Sequence, residues 1–420
     1  MSLRVRLVTD SFPPGAGGSG WSTFELARQL AARGHVVDVV HAVPGLRSGV
    51  DTDQYEGIPV TRLYRRVANV PVVRNVLKNE RLWSTLARHL QARQHDAPAD
   101  VWHAQHVMTT VATVRAGRAA GVPVVATVRD YWPVCYWSDL IRDPNATGLC
   151  PSCTVTNMRE CVRHRPGSPG LAGAALIPYM RANLRRKQRE LTQADAVIGV
   201  SRTITSDLLA RVPALRPQRV LTIPNPVDMT ALAPASRSDA DPFVLYAGKL
   251  AVNKGVQFLL PALDAAGIRW PLVVAGDGPL RGTLEADAIA RGRQVRWLGW
   301  CDRNEVLDLM RRATVLAFPS YGPESLSRVL IESAALGLPV AAMDTGGTRD
   351  IVEHGETGLL SNSPETFAAD LGTLASDAGL RSRLGAAAAR HARAQFDAAA
   401  VAARVEAVYR QVCPSVGDRT

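Results

Sequence analysis

The 420-residue sequence predicts an α/β protein built from two doubly wound, Rossmann-like domains. Three observations carry that expectation. Hydrophobic residues make up 46% of the chain, enough to fill two cores of roughly 150–200 residues each. Between residues 3 and 200, short apolar runs alternate with helix-length stretches, the pattern of a parallel sheet covered by helices. The same alternation restarts near Phe243. The expected boundaries are 1–225 for an N-terminal domain, 226–396 for a C-terminal domain, and 397–420 for a terminal helix that packs back on the first.

Taken in order, residues 3–9 alternate apolar and polar side chains as a strand does. Residues 23–33 place Phe24, Leu26, Ala27, Leu30 and Ala31 on one helical face. Gly34 suits the left-handed position just past that helix, and 36–40 reads as a second buried strand. Further strands are expected at 101–104, 124–128 and 196–200, then at 244–247, 272–275, 295–298, 315–318 and 340–342. The Pro-, Ala-, Ser- and Asp-rich stretch 223–241 reads as a linker. No apolar run approaches the ~20 residues of a bilayer span, and the opening strand does not have the regions of a signal peptide. A cytoplasmic protein is expected.

Charge is unevenly placed. Residues 1–228 hold 29 Lys and Arg against 17 Asp and Glu, a net +12, and the remainder holds 20 against 21. An anionic partner of the first half, such as a membrane surface or a phosphorylated substrate, would account for this; so would an Arg-rich composition spread over a solvated surface. The segment 171–191 sharpens the first reading, with Leu176, Ile177, Tyr179, Met180 and Leu184 ahead of Arg185-Arg186-Lys187-Gln188-Arg189. Such a segment suits peripheral contact with anionic lipid and a lipid-linked acceptor, and a solvated helix is its plain alternative. No nucleic-acid-binding module or basic-aromatic pattern is present, so a nucleic-acid partner is not expected.

Three segments carry candidate chemistry. Gly15-Ala16-Gly17-Gly18-Ser19-Gly20 lies between a strand and a helix, where open amides and the helix dipole favour an anion, with Gly17 and Gly18 allowing close approach. A tight turn would use the same glycines. Lys249 and Lys254, two of only four lysines, follow a strand at the end where doubly wound sheets bind ligands. The segment 319–332 sets Glu324 before a helix and Glu332 within it, with the amides of Leu326 and Ser327 near the helix start free to face a phosphate.

On these residues the chain resembles the retaining, GT-B fold glycosyltransferases of family 4. The resemblance rests on Glu324 and Glu332 spaced as E-x(7)-E and followed by Gly337-Leu338-Pro339-Val340. Gly17-Gly18, Ser201, Pro224-Asn225, Lys249 with Lys254, Gly276-Asp277-Gly278-Pro279, Gly346-Gly347 and Gly355-Glu356-Thr357-Gly358 also match, in family order. It implies a metal-independent transferase with a central cleft and no cofactor required for catalysis. It further implies a nucleotide-sugar donor in the C-terminal domain and a glycan or lipid-linked acceptor against the N-terminal domain. By the same resemblance Lys249, Lys254 and the Leu326 and Ser327 amides hold the diphosphate, Glu332 the ribose and Glu324 the sugar. Two positions depart from the pattern: Lys249 replaces a usual Arg, and Arg129 before Asp130 replaces a His found near the transferred sugar. His106, Arg129 and Asp130 are the candidates near the sugar or acceptor; His103 and His106, at the end of the strand 101–104, could equally be half-buried core residues. Asp51-Thr52-Asp53 imitates a metal-binding D-x-D but reads as polar surface loop.

Cys135, Cys150, Cys153 and Cys161, in an insertion after Asp130, are candidates for a structural zinc or for buried thiols. A nucleotide-sugar epimerase, a phosphorylase or a non-catalytic sugar-nucleotide-binding protein of the same fold remain alternatives to the transferase.

Overall fold

The computed structural model describes residues 2–67, 71–143, 149–164, 174–230, 232–234 and 240–413. The chain divides into two compact units, Met1–Asp139 with Pro151–Pro226 and Ala398–Thr420, and Leu140–Cys150 with Val227–Asp397.

The first unit is an eight-stranded sheet of β1 (Arg4–Thr9), β2 (Val36–Gly45), β3 (Gly49–Tyr55), β4 (Ile58–Arg66), β5 (Val101–Ala104), β6 (Val124–Val128), β7 (Ala196–Gly199) and β8 (Val220–Thr222). Its order is β3-β4-β2-β1-β5-β6-β7-β8, with all neighbours parallel except β3 and β4. Every residue of β5, β6 and β7 is buried, which is why these strands read as continuous apolar runs. The β3–β4 hairpin was not anticipated, because β3 is exposed along nearly its whole length and has no apolar face. It turns at Glu56 and Gly57, both with positive φ. Asp51-Thr52-Asp53 therefore lies on an edge strand rather than in a loop; Asp51 pairs with Arg47, and Asp53 with Arg62 at 2.9 Å. Charge on that edge discourages pairing with another strand.

The helix Gly18–Ala32 starts within the Gly-rich loop, at Gly18, and Gly34 follows its end with φ +86°. Its Leu26 and Leu30 share a core with Val5, Leu7 and Val39, and with Val401, Val405 and Tyr409 of the last helix, Ala398–Val412. The end of the chain is thus an integral part of the first core.

The second unit is a six-stranded parallel sheet of β9 (Val244–Ala247), β10 (Leu272–Ala275), β11 (Val295–Gly299), β12 (Val315–Phe318), β13 (Val340–Met343) and β14 (Leu359–Ser361). Its order is β11-β10-β9-β12-β13-β14, so β9 is the strand on either side of which the chain winds in opposite directions. Tyr246, Leu260, Leu263, Phe367 and Leu371 fill its core. The short β8 and β14, three residues each, escaped the sequence reading because so few positions carry no resolvable period.

His103 shows how the last helix is tied in. The ring is buried in β5, with Nδ1 2.6 Å from the Tyr409 hydroxyl and Nε2 2.7 Å from that of Thr127. Burial and the charge of Arg129 push its pKa down to about 3, so the imidazole is neutral, as one donor and one acceptor require. Unfolding lets it take up a proton, so its contribution favours unfolding progressively as pH falls from about 6.5 towards 3. Tyr409→Phe leaves one buried ring nitrogen without its partner. A loss of about 1–3 kcal/mol in unfolding free energy is expected, measured as a lower urea midpoint at unchanged slope.

Candidate functional site

In the second unit the candidate residues collect where the strands end. The loop after β9 carries Lys249, exposed, and Lys254, in a short turn capped by Gly255 in the left-handed region. A Cβ on Gly255 would stand 1.8 Å from the Pro319 carbonyl oxygen, so only glycine lets the Lys254 loop close on the end of β12. The ammonium of Lys254 then lies 2.5 Å from Glu324 Oε1, which also accepts the Ser320 hydroxyl at 2.6 Å. The backbone carbonyl of Glu324 accepts the Gly347 amide at 2.7 Å. One glutamate thus joins the loops after β9, β12 and β13, and Lys254 and Glu324, 70 residues apart in sequence, form one charged group.

Three residues after Glu324, Ser327 caps the helix Arg328–Ala335, its hydroxyl accepting the Leu330 amide. Among the described residues, the amides of Leu326 and Ser327 donate to no protein acceptor. Together with the helix start they are suited to an anion. Glu332 is buried on this helix, and its Oε1 accepts from Arg303 Nε and Arg328 Nε, each at 2.9 Å. Among the described residues, Oε2 accepts no hydrogen bond and is open to a ligand hydroxyl.

The first unit has its own strand-end cluster. His106 precedes the helix Val107–Ala120, and its Nδ1 and Nε2 each lie 3.2 Å from a carboxylate, Asp10 after β1 and Asp130 after β6. Burial opposes the imidazolium, but the two carboxylates outweigh it and raise the pKa to about 10. Arg129 is buried beside them and donates to the Gln105 carbonyl at 3.2 Å, to Gln105 Oε1 at 2.6 Å and to Asn225 Oδ1. It fastens the loops after β5 and β8 to the end of β6. Gly17 caps the first helix in extended conformation, and a Cβ there would meet nothing, so its backbone is open to approach.

Other candidates are placed differently. Cys135 and Cys161 are buried and Cys150 and Cys153 half-buried, with Cys150 grouped in the second unit and the other three in the first. Among the described residues, no three His, Cys, Asp or Glu side chains are gathered as a metal set. Of the segment 171–191, residues 171–173 lie outside the described residues. Ile177, Met180 and Leu184 pack inward against Met158 and Val162, leaving Arg185 and Arg189 at the surface. Among the described residues, no helix is long and apolar enough to cross a membrane.

The sequence reading missed Asp10, Ser320, Arg303 and Arg328. Asp10 and Ser320 sit within two residues of predicted strand ends, a signal that could have found them. Lys187, expected in the basic run that faces anionic lipid, is instead buried, and burial pushes it down to about 8 against the opposing charges of Asp130, Cys135 and Glu80.

The chain has relatives among known proteins in both sequence and fold. The sequence profile described as Glycosyltransferase Family 4 matches residues 16–231, and that of glycosyl transferases group 1 matches residues 230–391. The chain is 28% identical to a D-inositol 3-phosphate glycosyltransferase of Xylanimonas cellulosilytica, over 94% of this chain and 92% of the relative. It is 26% identical to an alpha-maltose-1-phosphate synthase of Mycolicibacterium smegmatis, over 98% and 100%. In structure it is similar to Anabaena HepE in complex with UDP-glucose, with a TM-score of 0.66, 18% identity and coverage of 97% and 100%. A sucrose-phosphate synthase from Thermosynechococcus elongatus gives a TM-score of 0.68 at 20% identity, covering 97% and 98%. The two Rossmann-like units are those of the GT-B fold.

The His106 cluster sets a pH window. Its folded pKa of about 10 lies above the ordinary value of 6.5, so its stabilising contribution is complete below about pH 6.5 and is lost as pH rises through 10. Urea midpoints of the protein should fall across that alkaline window, and His106→Gln should flatten the fall.

Proposed function

Because the chain belongs to Glycosyltransferase Family 4 and is a glycosyltransferase, we propose that it moves a sugar from a nucleoside diphosphate sugar to a glycan precursor or lipid-linked acceptor, with retention of configuration. The observation that carries the assignment of the donor to the second unit is the Lys254–Glu324 pair, set at strand ends in the same loop region as the open amides of Leu326 and Ser327. An ammonium has three donors, so Lys254 can hold Glu324 and a phosphate oxygen at once. As the sugar departs, negative charge grows on the diphosphate, and Lys254, Lys249 and the two amides stabilise it. Glu324, its carboxylate fixed by Lys254 and Ser320, addresses the sugar. Glu332 accepts ribose hydroxyls through Oε2. Asp10, His106 and Asp130 form the acceptor-side group in the first unit, where carboxylates can accept hydroxyls of a sugar or polyol.

The +12 charge of residues 1–228 favours an anionic acceptor or surface. With Ile177, Met180 and Leu184 packed inward, contact with lipid would be electrostatic rather than insertive.

Single-turnover transfer and nucleotide affinity separate the three site residues. Lys254→Ala should lower turnover on the order of 100-fold or more, beyond its effect on affinity. Glu324→Ala should impair transfer and leave affinity for the bare nucleoside diphosphate nearly intact, whereas Glu332→Ala should chiefly weaken donor binding. Full activity of folded Lys254→Ala or Glu324→Ala would overturn the assignment. For the surface contact, the protein should float with anionic liposomes at low salt and be released as screening shortens the Debye length to about 3 Å near 1 M salt. No flotation at any salt removes the membrane from the reading.

A further inference from the structure

Arg328 carries more than its contact with Glu332. It is the first residue of the helix Arg328–Ala335, its side chain is only 10% exposed, and its Nε donates to Glu332 Oε1 at 2.9 Å. Its two remaining nitrogens, Nη1 and Nη2, are both buried and have no hydrogen-bond partner among the described residues. Buried guanidinium nitrogens without acceptors are costly, and a planar pair of them is a fork matched to two oxygens of one anion.

Charge at this spot indicates the kind of ligand it fits. Glu332 is shared by two guanidinium groups, those of Arg303 and Arg328, so one carboxylate faces two positive charges. Lys254 and Glu324 balance each other nearby in sequence and fold. The unpartnered Arg328 fork is therefore a cationic group at a helix start whose Leu326 and Ser327 amides, among the described residues, also have no protein acceptor. Ribose and nucleobase are neutral and do not answer that charge; a phosphate does, and brings paired oxygens to the fork.

We propose that Arg328 is a donor-binding residue that grips a phosphate of the nucleoside diphosphate through Nη1 and Nη2, while its Nε and that of Arg303 hold Glu332 with Oε2 turned to the ribose. This rests on the nucleotide-sugar reading of the second unit. It makes Arg328 the bridge between phosphate and ribose recognition, and Arg303 a positioning residue that acts through Glu332.

The test compares UDP, GDP and ADP with the matching nucleosides by calorimetry and ligand-observed NMR, on wild type and on Arg328→Met, Arg328→Lys and Arg303→Met whose melting shows them folded. Arg328→Met should weaken the preferred diphosphate on the order of 30-fold, as expected for a lost charge-assisted bidentate contact, and change nucleoside affinity by less than about 3-fold. Its binding should also become less sensitive to salt. Arg328→Lys, which keeps the charge without the fork, should recover part of the loss. Arg303→Met should weaken nucleoside and diphosphate alike, because it acts only on Glu332. Equal losses for nucleoside and diphosphate in Arg328→Met, or diphosphate affinity unchanged within about 3-fold, would overturn the phosphate contact while leaving the donor site in place. Failure of wild type to bind any of the three diphosphates would instead overturn the donor reading itself, and this inference with it.

Discussion

The constraint from which most of this structure follows is the burial of parallel strands on both faces. A strand such as β5, β6 or β9 can present only apolar or fully hydrogen-bonded side chains along its length. His103 is the polar case, kept neutral and bonded at both nitrogens. Charged chemistry is pushed to where the strands stop and the backbone amides are unpaired. Asp10, His106 and Asp130 in one unit, and Lys254, Ser320 and Glu324 in the other, all occupy such ends.

In the second unit, the strand-end loops are held together by backbone as much as by side chains. Gly255 lies against Pro319, Gly276 against the Gly248 carbonyl and Gly346 against that of Glu324, each so near that a Cβ would fall within about 2 Å of the facing oxygen. Close contact between loops fixes Lys254 on Glu324 before any ligand arrives. Pre-set charge of this kind costs no reorganisation as charge develops in a reaction.

Arg129 and His106 show how a family departure is absorbed. An arginine at a position near the transferred sugar suggests a cation offered to a ligand, yet Arg129 is buried and spends its guanidinium on Gln105 and Asn225. The histidine that the geometry places at the surface of the strand ends is His106, held between two carboxylates from β1 and β6 loops. Asp130 is shared by both arguments, since it follows Arg129 in sequence and meets His106 in space.

The GT-B expectation came from the family resemblance; sequence alone determined two doubly wound α/β domains, most strands of both sheets, the left-handed Gly34 and the order of Glu324 and Glu332 around a helix start, because apolar periodicity, glycine and helix-start signals are local. It was silent on β3, whose exposed residues bury nothing and so leave no period, and it put Asp51-Thr52-Asp53 in a loop for the same reason. For 171–191 it left lipid contact and a solvated helix open, since an amphipathic helix shows the same period whether its apolar face meets lipid or Met158 and Val162. Tertiary structure alone decided that Lys254 meets Glu324, that Arg303 and Arg328 share Glu332, and that Asp10 and Asp130 flank His106. Those pairings depend on strand order, and strand order is set by which buried faces pack together across the whole unit rather than by any residue's neighbours in sequence.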